Sequence, residues 1–217
     1  MKRDITFISD THSRHNELTN DLKGGWMIIH AGDVSNRGET TDINEFTEWF
    51  GNLPYKHKIF IAGNHDFGFE VFNNNPNNGI IIPEGVTYLM DRMVEIDGIK
   101  IYGTPWQPRF YDWAFNVDRG EEIAKKWENI PNDVDILITH GPVYGILDDT
   151  ITGYKAGCED LYNRIMEIKP KLHVCGHIHW GYGERQHNGT TFINASSLGE
   201  RYTYDNKPIV LDYDKEL

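Results

Sequence analysis

Five short polar motifs interrupt the apolar runs of this chain: Ser9-Asp10-Thr11-His12, Gly32-Asp33, Gly63-Asn64-His65-Asp66, His140-Gly141-Pro142 and Gly176-His177-Ile178-His179. Their side chains are carboxylates, imidazoles and one amide, a mix of hard oxygen and borderline nitrogen donors that suits Mn, Fe, Zn or Ni. No cysteine stands in any of them, which argues against a closed structural zinc site. Divalent cations held by such a set activate water and polarise a phosphoester, so the expected chemistry is metal-assisted hydrolysis. A lone Asp-X-His or Asn-His-Asp is more often a loop whose side chains cap backbone groups. The weight lies in five motifs together, each placed behind an apolar run.

Those runs must do the positioning. Stretches at Ile5 to Ser9, Met27 to Ala31, Lys58 to Ala62, Ile99 to Gly103, Val134 to Thr139, Leu172 to Cys175 and Thr190 to Asn194 read as strands, mostly buried on both faces. Helical spacing marks Ile43, Phe46, Trp49 or Phe50 and Leu53, then Ile123, Trp127 and Ile130, then Leu161, Ile165 and Ile168 ahead of a stop at Pro170. The alternation predicts a layered α/β fold. Hairpin signals at Val94-Glu-Ile-Asp97-Gly98-Ile-Lys-Ile101 and at Asn188-Gly189 make part of the sheet antiparallel or mixed. Asp10, Asp33, Asn64, His140 and His177 each fall just past the carboxyl end of an expected strand, where α/β sheets open a crevice. The asparagine-rich stretch from Asn73 to Gly79 reads as a mobile loop and a candidate rim of that crevice.

Composition narrows the partners. The 33 acidic residues outnumber the 21 basic ones, giving a net charge of −12. Such a surface repels a polynucleotide, whose binding needs a Lys/Arg stripe to displace counterions, so no long nucleic acid is expected. A small anionic phosphoester stays compatible because bound cations offset local charge. With 217 residues and no linker or charge block, residues 1–217 are expected to form a single domain. No stretch approaches a membrane span and the N-terminus enters a strand pattern at once, so no membrane partner and a cytoplasmic location are expected. Cys158 and Cys175 are too few for a disulfide framework, which fits a reduced compartment.

In their order, from Asp10 to His179, the motifs resemble the calcineurin-like metallophosphoesterase family. Ile-Ser-Asp-Thr-His-Ser13, Ile-Ala-Gly-Asn-His65, Gly-Thr-Pro-Trp106, Trp-Ala-Phe-Asn116, Asp-Ile-Leu-Ile-Thr-His-Gly-Pro142, Gly-Tyr-Gly183 and Phe-Ile-Asn-Ala-Ser196 are similar to its metallophosphoesterase-domain-containing (fetal-brain-type) branch. The resemblance implies a four-layer α-β-β-α sandwich of two mixed sheets flanked by helices. It implies two divalent metal ions, manganese foremost with iron, zinc or nickel as alternatives. Asp10, His12 and His179 would hold one, Asn64, His140 and His177 the other, with Asp33 bridging and a hydroxide between the metals as nucleophile. The branch is associated with phosphodiesterase activity on cyclic nucleotides, so small phosphodiesters are the expected substrates. A phosphomonoesterase or protein phosphatase on the same centre, and a non-catalytic binding scaffold, are the alternatives. Many family members carry aspartate in the segment that here reads Ser35-Asn36-Arg37, which bears on phosphate orientation. Some of the branch carry glycine where this chain has His177, so a full dinuclear centre is expected here.

His65 has no place among those ligands. It is expected to donate a proton to the departing oxygen or to stabilise phosphoryl charge, with Asp66 holding its imidazole in the useful tautomer. His30 and His173 fall inside strands and read as satisfied core residues; His15 reads as core or as a neighbour of the ligands. Arg14 and Arg37 could reach a phosphate oxygen or brace loops. Trp106, Phe110, Tyr111, Trp113 and Phe115 could form a platform for a nucleobase or an apolar plug, the plug being favoured for most. Val143 to Gly157 reads as a lid or as a surface connection. No Arg/Lys cluster accompanies the motifs, which favours a diester over a monoester.

Overall fold

The computed structural model describes residues 3–216. The strands in chain order are β1 (Asp4–Ile8), β2 (Gly25–His30), β3 (Tyr55–Phe60), β4 (Val86–Tyr88), β5 (Arg92–Ile96), β6 (Ile99–Thr104), the short pair β7 (Gln107–Pro108) and β8 (Asn116–Val117), β9 (Ile136–Thr139), β10 (Leu172–Cys175), β11 (Gly183–His187), β12 (Thr190–Asn194) and β13 (Ile209–Asp212). The helices are α1 (Thr40–Asn52), α2 (Phe67–Asn74), α3 (Glu121–Glu128), α4 (Glu159–Ile168) and α5 (Tyr213–Glu216). One sheet runs β13-β1-β2-β3-β4 and the other β11-β12-β10-β9-β6-β5. Both are mixed: β1 to β4 pair in parallel with β13 antiparallel at one edge, while β9, β10, β12 and β6 are parallel with β5 and β11 antiparallel outside them.

Side-chain alternation decides the layers. Ile5, Phe7, Met27, Ile29 and Ile59 turn inward to meet Ile101, Ile136, Ile138, Leu172, Val174 and Ile193 in a dry cluster between the sheets. One residue out of phase, Ile8, Ile28 and Phe60 face outward onto Ile43, Phe46 and Phe50 of α1 and Phe69 of α2. On the far side Tyr102, Leu137 and Phe192 meet Ile123 and Trp127 of α3 and Leu161 and Ile165 of α4. Each central strand therefore has a core on both faces, which is why the sequence shows continuous apolar runs rather than alternation. The result is the four-layer α-β-β-α sandwich that the family resemblance implies.

The hairpin signals hold. Asp97 and Gly98 (φ 49° and 82°) turn β5 into β6, and Asn188 and Gly189 (φ 49° and 85°) turn β11 into β12, both with the paired positive φ of a type I′ turn. Several elements lack a readable signal, among them α2, β4 and β13. In α2, Phe-Gly-Phe-Glu-Val-Phe-Asn-Asn carries apolar residues all around, so no face stands out; β4 spans only 3 residues; β13 spans 4 and takes its place by pairing with β1. The asparagine-rich stretch corrects the expectation of a crevice rim. Asn73 and Asn74 end α2, Asn78 donates to the Gly68 carbonyl, and Asn44 of α1 clasps the backbone of Gly79 and Ile81.

Candidate metal centre

At the carboxyl ends of β1, β2 and β10 the chain turns sharply enough that Asp10, Asp33 and His177 adopt positive φ (52°, 57° and 67°). That conformation is costly for residues with a Cβ and marks positions that the surroundings hold in place. Backbone bonds do the holding: Asp10 N–H to Gly32 O (2.9 Å), His12 N–H to Asp33 O (3.1 Å) and Gly176 N–H to His140 O (2.9 Å). The two sheets are joined at the same spot. His177 N–H donates to both oxygens of Asp10 (3.0 Å each), Ser196 Oγ donates to Asp10 Oδ2 (2.9 Å), and Ser197 N–H reaches Ser9 O (2.9 Å). Glycine is required beside them, because a Cβ on Gly176 would lie 2.1 Å from Asp10 Oδ2 and one on Gly63 would lie 2.3 Å from Asp33 Oδ1.

Three sets of donor atoms converge, each within 4.8 Å of one another: Asp10, His12 and His179; His12, Asp33 and His65; Asp33, His140 and His177. Asp33 stands between neighbours on both sides, with Oδ2 at 3.2 Å from His140 Nε2 and 3.8 Å from His12 Nε2. Asn64 joins the second group through Oδ1, 2.9 Å from His140 Nε2. Tautomers follow from the outer partners. His140 Nδ1–H donates to Ala31 O (2.9 Å) and His179 Nδ1–H to Gly199 O (3.1 Å), so each directs its Nε2 at the cluster. Both ring nitrogens of His12 are buried without a hydrogen-bond partner. A buried imidazole left orphaned among carboxylates is costly unless a cation takes its lone pair, and the donor set fits divalent metal ions.

The electrostatics match such a role. Burial works to raise the pKa of Asp33, but the charge and hydrogen bond of His140 outweigh it and hold the carboxylate ionised; burial is likewise overcome at Asp10, here by His179. Burial pushes His12 down to about 4 and His177 to about 3, leaving neutral imidazoles ready to coordinate. At His140 and His179 burial is outweighed by Asp33 and Asp10 respectively, which lift each to about 9, so these two rings must give up their Nε2 protons before they can coordinate a cation.

His65 is part-exposed beside this cluster, with Nε2 at 4.0 Å from Asp33 Oδ2 and its ring stacked on Trp113 (4.1 Å between centroids). Its Nδ1 bonds to Asn36 O at 2.7 Å. The expectation that Asp66 orients this imidazole is therefore corrected. Asp66 is buried and turned the other way, accepting from Gly63 N–H (2.8 Å), Ser35 N–H (2.9 Å), Ser35 Oγ (2.7 Å) and Val34 N–H (3.1 Å). It ties the loop after β2 to the loop after β3, which carry Asp33 and Asn64. Ser35, in the segment where the family often carries aspartate, is thus a structural partner of Asp66 and also accepts from Gly38 N–H (2.9 Å).

A cavity of about 360 Å³ opens over the cluster, within the size range of small-molecule sites. Phe110, Tyr154 and Tyr202 line it, and so do Arg109 and Arg119, which sequence reasoning passed over because neither stands near a ligand motif. Thr150, Tyr154 and Ala156 bring the 143–157 segment into the wall. The aromatic stretch divides its roles: Phe115 is core, Trp106 is half-buried and bonds Asp91 (2.7 Å), Trp113 supports His65, and Phe110 faces the cavity. His15 packs on Phe46 and Trp49, away from the donor cluster. His30 is a satisfied core residue, with Nε2 on Thr11 Oγ1 (3.0 Å) and Nδ1 accepting from Gly32 N–H (3.2 Å). The expectation that His173 is satisfied is corrected: it is core, but only its Nε2 has a partner, Thr139 Oγ1 (2.8 Å), and among the described residues its Nδ1 is buried without one. Arg14 braces Glu17 and the Tyr202 carbonyl, and Arg37 lies over the Trp113 ring.

Two mixed sheets with Asp/His/Asn donors gathered at their strand ends define a metallophosphoesterase. Residues 3–181 match the Calcineurin-like phosphoesterase family, and the chain belongs to it. Among curated relatives, human Metallophosphoesterase domain-containing protein 1 is 41% identical over 227 residues, covering 94% of this chain and 69% of that protein. Two solved structures share the fold at 15% identity: TT1561 of Thermus thermophilus (TM-score 0.64, covering 100% of this chain and 97% of that one) and Phosphopantetheinyl Hydrolase (PptH) from Mycobacterium tuberculosis (TM-score 0.61, 93% and 91%). Among the described residues no helix is long and apolar enough to cross a membrane.

Proposed function

We propose that this protein is a metal-dependent phosphodiesterase of small substrates, with cyclic nucleotides as the leading class. The observation that carries the reading is the position of Asp33, whose carboxylate belongs to donor groups on both sides of it. Asp10, His12 and His179 would hold one cation and Asn64, His140 and His177 the other, with Asp33 shared. When bound, such a pair supplies Lewis acidity toward phosphoryl oxygens and lowers the pKa of water to about 7.

The chain's own groups do the rest. The His177 amide and the Ser196 hydroxyl hold Asp10 in one orientation, so the donor atoms need little reorganisation. His65 lines the cavity, and in its imidazolium form, with Nδ1–H on Asn36 O, its second proton on Nε2 would pass to the departing oxygen. Asn36 O keeps Nδ1–H in place during that transfer, and Trp113 fixes the plane of the ring. Phosphomonoesters are the second reading, favoured by the Arg109 guanidinium in the cavity wall. Loading the protein with Mn²⁺ and comparing bis(p-nitrophenyl) phosphate with p-nitrophenyl phosphate separates the two, followed by cyclic and linear nucleotide diesters. The diester should be cleaved faster and a chelator should abolish both activities. Absence of metal-dependent hydrolysis of every diester would overturn the proposal.

A further inference from the structure

Arg109 and Arg119 reach the same cavity but differ in charge balance. Arg109 is ion-paired with Asp118. Arg119 instead donates Nη1–H to Gly157 O (2.8 Å) and Nη2–H to Ala156 O (2.9 Å). Among the described residues no ion pair joins it to a carboxylate, and none of its partners belongs to the donor cluster. Two carbonyls fix the guanidinium in place without cancelling its charge, and they leave its remaining N–H donors for a ligand. A pre-oriented guanidinium in the wall of a pocket suits a planar or tetrahedral oxyanion, which it can bind through two parallel hydrogen bonds. In a chain of net charge −12, a cation left unpaired at a substrate cavity stands out against the background.

We infer that Arg119 is a specificity-determining residue that binds a second anionic group of the substrate, a phosphate or carboxylate carried beyond the phosphodiester to be cleaved. This deepens the phosphodiesterase reading and rests on it: among small diesters the pocket selects those with a remote anion over those with a neutral far end. Its position outside the donor cluster separates it from the second charge of a phosphomonoester, which would sit on the reacting phosphorus itself.

A matched pair of chromogenic diesters tests this: thymidine 5′-(p-nitrophenyl phosphate) and the same compound bearing a 3′-phosphate. Wild-type protein should show a KM about three- to fivefold lower for the 3′-phosphorylated compound, the size expected of one charge-assisted contact at an exposed guanidinium. Arg119→Gln should erase that preference while leaving kcat and KM for the other compound within twofold; Arg119→Lys should keep part of it. Calorimetric binding of thymidine 3′,5′-bisphosphate against thymidine 5′-phosphate gives the same comparison without turnover. If neither diester is cleaved but the binding preference and its loss in Arg119→Gln persist, the hydrolytic reading fails and the anion site stands. Equal losses on both compounds, meaning a merely bracing role for Arg119, or no preference in the wild type, would overturn the inference.

Discussion

Replacing Asp66 with asparagine should destabilise the fold by breaking the tie between the loops after β2 and β3. Asp66 is fully buried and its two oxygens share the work: Oδ1 accepts from Ser35 N–H and Oγ–H, and Oδ2 from Val34 N–H and Gly63 N–H. Burial and the nearby Asp33 push its pKa up to about 6, so at pH 8 the side chain is ionised. In Asp66→Asn one oxygen becomes an NH₂ that points its own hydrogens at two N–H donors. Two hydrogen bonds to a charged acceptor are lost, worth ~1.5–3 kcal/mol each before the non-additivity of a shared network is counted. Because the raised pKa means the buried charge itself costs stability at pH 8, a cost asparagine escapes, we expect a net loss of about 2 kcal/mol, or roughly 4–8 °C in Tm for a chain of this size. Urea denaturation of metal-free protein at pH 8 reads it without a contribution from cation binding. Ser35→Ala, which removes only the hydroxyl, should cost about 1–2 kcal/mol. A loss below about 1 kcal/mol in Asp66→Asn would refute the view that this carboxylate ties the two loops together.

Three other outcomes follow from the geometry. Gly176→Ala drives a Cβ to within 2.1 Å of Asp10 Oδ2 and of Ser9 Oγ, so it should cost ~1–3 kcal/mol of stability and weaken calorimetric metal binding at least about tenfold; wild-type metal affinity would contradict it. His65→Ala should slow a nucleotide diester by about 10²-fold or more but a p-nitrophenyl diester much less, because an alkoxide needs the acid and an aryloxide does not. Equal slowing of the two would remove His65 from that role. Burial holds the folded His173 pKa at about 3. A depressed folded value means its contribution is fully present above the unfolded pKa of ~6.5 and is lost at about 1.4 kcal/mol per pH unit as pH falls toward 3. His173→Gln should flatten that acid slope in urea titrations, and an unchanged slope would count against it.

The sequence carries its strongest signals where one residue type has only one use. Asp10, Asp33, Asn64, His140, His177 and His179 stand out because polar residues at the ends of apolar runs must go somewhere, and the strands deliver them to one edge of both sheets. His30 and His173 are equally legible as strand residues with a partner hydroxyl. Asp66 misleads because adjacency in sequence suggests contact with His65, whereas the turn from β3 into α2 sends the two side chains in opposite directions. Arg109 and Arg119 could not be found from motif spacing. They reach the cavity from the β7–β8 pair and the approach to α3, whose course is set by tertiary packing rather than by local pattern. The short strands β4 and β13 exist through their neighbours' edges, which no window of three or four residues can reveal.

Each flanking donor group draws on both halves of the sandwich. Asp10 and His12 follow β1 in one sheet while His179 follows β10 in the other, and Asp33 after β2 faces His140 after β9 and His177 after β10. Neither half owns a complete coordination sphere. A piece of chain ending before β9, however well its own sheet formed, would carry carboxylates with too few imidazoles to retain a metal. On the proposed centre, docking of the two sheets and capture of cations would in that sense be one event, since the donor set is complete only when the two halves close on each other.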